Sequence, residues 1–307
     1  MRVYVAGIHG MVGSAVARHF REEGHEVLGK TSKEVDFLDR HATFSELADS
    51  KVDALLFAAA KVGGIGANST LPVDFLSNNL QIQGNLLDGA HAANIERVLF
   101  LGSSCIYPRM APQPIEEESL LTGPLEETNE AYAIAKIAGI KLINAYRKQY
   151  GRRWISAMPT NLYGPNDNFD FETSHVLPAL IAKFHEAKQN GNTKVTLWGD
   201  GTPLREFLHV DDLAKACLVL LEKYDDSIAI NVGSGSEVTI HELAEMIQKT
   251  IGFAGDIDFD ASRPNGTPRK ILSIKRIQSL GWNPQIKLEE GLADTYEWFK
   301  QNALSKV

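Results

Sequence analysis

Two cysteines in 307 residues, Cys105 and Cys217, are too few and too far apart to staple a fold, and no Cys/His spacing resembles a zinc site. The fold must rest on an apolar core, for which a hydrophobic content of 44% is ordinary. A reducing compartment, the cytoplasm, suits such a chain. Apolar runs are too short to span a membrane, so no membrane association is expected. The opening MRVYVAGIHG reads as a short strand entering a glycine turn, without the charged start and apolar stretch of a secretory leader. Positive charge is also in deficit: 31 Lys and Arg against 39 Asp and Glu leave a net charge of −8, which argues against nucleic acid as a partner. Any anionic small molecule must be gripped by local cations. Internal repeats and low-complexity tracts are lacking as well.

What is present is alternation. Short β-rich runs at Val3 to Ala6, Glu26 to Gly29, Ala54 to Ala58 and Arg97 to Leu101 are separated by longer stretches, the first of them, Gly13 to Glu23, helical in pattern. That rhythm implies βαβ units and a parallel sheet. A long helical pattern follows from Asn129 to Tyr150, and Trp154 to Met158 reads as another strand, ending at Pro159. After Gly164 the rhythm changes: prolines and glycines recur, helices are expected at His175 to Ala187 and Ile240 to Ile251, and Arg263 to Lys270 is polar and turn-rich. The expected fold is α/β, a Rossmann-type doubly wound parallel sheet over residues 1–164. Residues 205–235 are expected to return to it, and 165–307 to form mainly a smaller carboxy-terminal substrate lobe.

Gly7, Gly10 and Gly13 form G-x-x-G-x-x-G between the first strand and the first helix. Such glycines serve a tight turn, close approach of backbone to a pyrophosphate, and close helix-on-strand packing. The helix start adds unpaired N–H groups and partial positive charge. A glycine turn alone binds nothing in particular, but its place in the first βα turn of an alternating chain points to a dinucleotide. At the end of the second strand stand Lys30, Thr31, Ser32 and Lys33, with no carboxylate before Glu34. Cations there pair with a 2′-phosphate, so NADP is favoured over NAD; the plainer reading is a solvated surface turn.

Tyr132 and Lys136 are four apart in a helical pattern and share a face. An ammonium beside a phenol should lower the phenol's pKa and let it exchange a proton with a substrate oxygen. An exposed pair of little worth would have the same spacing. Ser103 makes the difference, because it follows an apolar strand at its carboxyl end, where ligands bind in open α/β sheets. Taken alone, Cys105 reads as a small buried hydrophobe, His175 as a helix-start residue, and Cys217, within LAKACLVLL, as core.

At this point the chain resembles the extended short-chain dehydrogenase/reductases, and within them the GDP-L-fucose synthase family. The stretches that carry the resemblance are AGIHGMVGSA, AAAKVGGI, LFLGSSCIYP, AYAIAKIAGIKL, MPTNLYGPNDNF, SHVLPAL, WGDGTPLREFLHVDD and NGTPRK. They span nearly the whole chain, and SSCIYP and SHVLPAL are the most specific. The resemblance implies a 3,5-epimerase and NADPH-dependent 4-reductase acting on GDP-4-keto-6-deoxymannose. It implies Cys105 as base and His175 as acid for the inversions, Tyr132 as proton donor to O4, Lys136 as holder of the tyrosine and cofactor ribose, and Ser103 as the group that positions the carbonyl. It extends the dinucleotide site to His9, Met11 and Val12, to Leu101, Gly102 and Ser104, and to Pro159, Thr160, Asn161 and Leu162. It further implies Lys183, Trp198, Arg205 and Asn265 around the GDP sugar, and a homodimer formed by helices near Leu80 to Ala93 and Ala131 to Tyr150.

Three departures from the family pattern stand out. Ile8 and His9 occupy the loop where an arginine commonly follows a histidine, Ser32 replaces an arginine, and Asn265 replaces an aspartate. Two permanent cations are thereby lost near the cofactor, so the preference for NADPH should be weaker than the family's. Two other readings compete. A 4-epimerase or 4,6-dehydratase that retains NAD would share the fold, although a dehydratase usually has an acid where Ser104 and Cys105 stand. A redox-sensing binding protein would not need the five reactive side chains together.

Overall fold

The computed structural model describes residues 1–171, 173–262 and 265–302, so Arg263 and Pro264 of the expected turn-rich segment lie outside the described residues. The first half alternates as its pattern dictates: β1 (Arg2–Ala6), α1 (Met11–Glu22), β2 (Glu26–Leu28), α2 (Arg40–Ser50), β3 (Ala54–Phe57), α3 (Ile65–Thr70), α4 (Asn79–Ala92), β4 (Arg97–Leu101), α5 (Glu130–Tyr150) and β5 (Ile155–Pro159). After it come β6 (Asn161–Tyr163), α6 (Val176–Gln189), β7 (Lys194–Trp198), β8 (Leu204–His209), α7 (Val210–Lys223), β9 (Ile230–Val232) and β10 (Glu237–Thr239). The remainder is α8 (Ile240–Ile251), β11 (Asp256–Asp260), β12 (Arg269–Lys270), α9 (Lys275–Gln278) and α10 (Leu288–Asn302).

Six parallel strands form the main sheet in the order β2-β1-β3-β4-β5-β9. The order reverses between β1 and β3, and the crevice beyond the carboxyl ends of such strands is where open α/β sheets bind ligands. Strand residues alternate between two cores. Val3, Val5, Leu99 and Leu101 pack with α1 and α7 on one face, while Tyr4, Ala6, Val98 and Phe100 pack with α4 and α5 on the other. Strand β3 and the apolar run Val98 to Leu101 of β4 are buried on both faces, as a parallel sheet covered by helices requires.

The rest of the chain divides its allegiance. Helix α7 packs on α1 and β9 joins the main sheet, but β8 does not. It pairs with β6, β10 and β12 in a small sheet, and β7 pairs with β11 in another. A third core, under α6, α8 and α10, buries Leu177, Phe184, Phe207, Leu243, Leu292 and Phe299. Glu206 stitches the small sheet to the large one. Its buried carboxyl accepts from the backbone of Gly235 (2.7 Å) and Leu272 (3.0 Å), and burial raises its pKa in spite of these bonds, which favour the charged form.

Candidate functional site

The glycine loop has the shape of a phosphate cradle. Gly7 turns with φ +86°, open to glycine at little cost, and its carbonyl accepts from Gly10 N at 3.0 Å. A Cβ on Gly13 would run into that same carbonyl, so α1 leaves the strand as closely as it does only because residue 13 has no side chain. No side chain caps α1, which leaves the first-turn N–H groups of Met11, Val12 and Gly13 for a ligand. His9 is exposed beside them. A dinucleotide fits this loop on those grounds. Lys30, Ser32 and Lys33 are exposed beyond β2, and Lys30 lies 3.6 Å from Glu34, a weak solvated pair that a phosphate could displace.

The end of β4 gathers the reactive groups. Leu101 and Gly102 are buried, and Ser103 starts a short 3-10 turn by accepting from Cys105 N at 3.4 Å. Cys105 itself is buried, 7% exposed, and Ser104 beside it is buried too. From α5, Lys136 reaches the same place: its ammonium, 3% exposed by residue, donates to the Leu101 carbonyl at 2.8 Å. It stands 5.7 Å from the centre of the Tyr132 ring. Burial lowers its pKa to about 8, so the ammonium is lost as pH rises through that value. Pro159 and Thr160 are buried at the end of β5, and Asn161 donates to the Glu206 carbonyl at 2.8 Å, with Leu162 half-buried beside it.

One expectation fails here. Lys136 was expected to lower the pKa of Tyr132, yet the phenol is driven well above its usual range, first by burial and then by the neighbouring Cys105. The ammonium is bonded to the strand carbonyl rather than to the phenol, and desolvation prevails. A neutral phenol is the form that donates a proton. Cys105 is likewise raised by burial, against the opposing pull of Lys270, Ser103 and Lys136.

His175 sits at the amino-terminal cap position of α6 and is an exposed residue whose ring caps no backbone N–H. Gly64 N donates to Thr173 O at 2.8 Å, which lays the 61–64 loop against the segment leading to His175. Phe75 bridges onward: its ring meets Tyr132 edge-on at 6.3 Å and its tip lies beside Gly63. Protein crowds the imidazole enough to lower its pKa, so it is neutral at pH 7.

Across the cleft the small lobe presents its own groups. Arg205, half-buried on β8, donates to its neighbour Leu204 O at 2.9 Å and keeps its charge although burial lowers its pKa. Lys183, on α6, donates to Thr196 O at 2.5 Å. Trp198 is 70% exposed, which excludes it from the core. Asn265 is exposed and accepts from Asp200 N at 2.9 Å, closing the loop that follows Trp198. The structure thus brings Ser103, Cys105, Tyr132 and Lys136 together, ties the segment before His175 to the 61–64 loop, and bonds Lys183 and Asn265 to Thr196 and Asp200 beside the exposed Trp198. Sequence reasoning passed over Lys270, which pairs in register with Arg205 and lines a cavity with Cys105, Gln113 and Glu126. Its signal was in plain view as the last residue of NGTPRK. Among the described residues no group of His, Cys, Asp and Glu could hold a metal ion, and no helix is long and apolar enough to cross a membrane.

Residues 3–233 match the NAD dependent epimerase/dehydratase family. Over 306 residues the chain is 53% identical to GDP-L-fucose synthase 1 of Arabidopsis thaliana, covering 99% of this chain and 95% of that one. It is 51% identical over 311 residues to GDP-L-fucose synthase of Escherichia coli strain K12, covering 98% and 97%. Among solved structures, a GDP-L-fucose synthetase from Naegleria fowleri bound to NADP superposes with a TM-score of 0.91 at 29% identity, covering 99% of this chain and 95% of that one. The chain belongs to the NAD dependent epimerase/dehydratase family, in the branch of the GDP-L-fucose synthases.

Proposed function

We propose that the chain converts GDP-4-keto-6-deoxy-D-mannose to GDP-L-fucose, as a 3,5-epimerase and an NADPH-dependent 4-reductase. The observation that carries this reading is the gathering of a hydroxyl, a thiol, a phenol and an ammonium at the end of β4, facing cations of the small lobe. A bound cofactor would be held by Gly7, Gly10, Gly13 and the first turn of α1, by Lys30 and Lys33 near the 2′-phosphate, and by Leu101 to Ser104 and Pro159 to Leu162 along the strand ends. When bound, it supplies hydride to the sugar C4.

The chain's own residues supply the protons and the grip. A 4-keto group acidifies the hydrogens at C3 and C5, and inversion needs a base on one face and an acid on the other. Cys105 takes the proton and His175 returns one. At rest both are uncharged, since burial raises the thiol and lowers the imidazole. Transfer of one proton from sulfur to imidazole gives the thiolate and imidazolium that the inversion uses. Tyr132, neutral in the cleft, protonates O4 during reduction, Ser103 orients the carbonyl, and Lys136 orients tyrosine and ribose. Arg205 clasps the diphosphate, while Lys183, Trp198 and Asn265 hold the outer part of the nucleotide.

In this division of labour residues 1–164, with 205–235, serve mainly the cofactor, and residues 165–307 mainly the substrate. A cytoplasmic homodimer is part of the same reading: α4 and α5 pack side by side and expose Leu80 and Ile134, a face that a second copy would cover. Light scattering that gives a single-chain mass would exclude it.

The test is to incubate protein, GDP-4-keto-6-deoxymannose and NADPH in deuterated water and identify the product by NMR. Deuterium at C3 and C5 with one oxidised cofactor per product is expected. A product formed with no net oxidation of cofactor would instead indicate a 4-epimerase or 4,6-dehydratase that retains its dinucleotide. Cys105→Ser should lose deuterium incorporation by about a hundredfold or more, and full exchange in that variant removes the thiol from the mechanism.

A further inference from the structure

We propose that Lys270 is the positioning cation for Cys105, standing against the sulfur across a small cavity and holding the proton-accepting form of the thiol. The inference rests on the role assigned above to Cys105, and nothing in the motif that ends with Lys270 had accounted for this residue.

Both side chains line that cavity, together with Gln113, Glu126 and Thr267. The strand that carries Lys270 is pinned to the loop that carries Cys105. Ile271 N donates to Gln113 Oε1 at 2.9 Å, Ile115 N donates to Ile271 O at 2.8 Å, and Ser273 N donates to Ile115 O at 2.8 Å. From the other side Leu272 N is held by Glu206 Oε2 at 3.0 Å, and Lys270 pairs in register with Arg205 of β8. Five tethers on four consecutive residues are more than a solvated turn needs, and they fix the backbone from which the ammonium reaches the cavity.

The other cation near the sulfur is already engaged, because Lys136 donates to the Leu101 carbonyl. The Lys270 ammonium makes no hydrogen bond or ion pair among the described residues. Glu126, the acid nearest to it, is shared between Arg109 at 3.1 Å and Thr267 at 3.2 Å. The charged and titratable groups that bear on Cys105 are therefore Lys270 from β12, Lys136 and Tyr132 from α5, and the Ser103 hydroxyl of its own loop. Of these Lys270 pulls the thiol down most strongly, against a burial that pushes it up. A lysine beside a cysteine in a dry site favours the thiolate.

Alkylation of the full-length protein by iodoacetamide across a pH series reads this directly, because only the thiolate reacts. Cys217, fully buried in α7 with its thiol pushed up to about 12, stays unreactive while the chain is folded and so reports folding in the same sample. Lys270→Gln should raise the midpoint of Cys105 alkylation by about one pH unit, which is roughly tenfold slower labelling at a fixed pH below it. Lys270→Arg should stay within about threefold of the parent. An unchanged midpoint in a folded K270Q, with a raised KM for the GDP sugar, overturns the proposal and makes Lys270 a ligand of the diphosphate. Should K270Q expose Cys217, Gln113→Ala loosens the same strand and must slow Cys105 labelling; an unaltered rate there overturns the proposal too. Labelling needs no substrate, so a shifted midpoint in a chain inactive on the GDP sugar sustains the pairing and rejects only the substrate.

Discussion

The two walls of the cleft are built in opposite ways. On the sheet side the reactive groups are sunk into a core, with Lys136 3% and Cys105 7% exposed, and each is fixed by a strand end or a helix face. On the small-lobe side Trp198 is 70% exposed at the end of β7 in a sheet of two strands, and Asn265 stands on a loop. Proton and hydride transfer demand geometry held to a fraction of an ångström in a dry setting, whereas capture of a whole sugar nucleotide demands a face that can be reached. The comparison teaches that substitutions on the two walls should fail differently: one wall in turnover, the other in affinity.

The largest effect should come from Tyr132→Phe, which removes the proton donor and leaves the ring packed against Phe75. Turnover followed by NADPH absorbance should fall about a thousandfold with little change in KM, and a tenfold loss or less would break the contrast. Next is Arg205→Lys on the opposite wall, where a forked donor becomes a point charge: KM should rise about tenfold at nearly unchanged kcat. A fall in kcat alone would place Arg205 with the chemistry instead. The smallest effect concerns the cofactor. With Ile8, His9 and Ser32 in place of two cations, kcat/KM for NADH should come within about tenfold of that for NADPH. A thousandfold preference for NADPH would show that the exposed Lys30 and Lys33 suffice.

How much of this was legible in the chain follows the same divide. The strands of the main sheet and the glycine turn announce themselves through local signals, an apolar run or a residue without Cβ, and β4 occupies the span its pattern predicts. Pairings across long separations leave no such trace. Residues 205–235 read as one segment returning to the nucleotide-binding domain, and the sequence does not show that its first strand, β8, hydrogen-bonds with β6, β10 and β12 in a separate sheet, because strand partners are chosen by register rather than by periodicity. Cys105 and His175 were recognisable only through resemblance, since a lone buried thiol and a helix-start histidine are ordinary features. Lys270 was missed because a lysine in a polar turn looks solvated until the fold pairs its strand with Arg205 and sets it on the cavity of Cys105. The pKa expected for Tyr132 failed for a related reason: spacing on a helix gives proximity but says nothing of how deeply the pair is buried.

The two sulfurs lie in cores on opposite faces of the main sheet, Cys217 within α7 and Cys105 on the side of α5. The sheet between them forbids an internal disulfide. A peroxide molecule therefore meets one sulfur with no resolving partner and another with no access, and the one that lines the cavity rests as a thiol, the form that oxidants attack slowly. Oxidative inactivation should consequently follow the working state of the cleft, and the resting enzyme should tolerate oxidant that the turning-over enzyme does not.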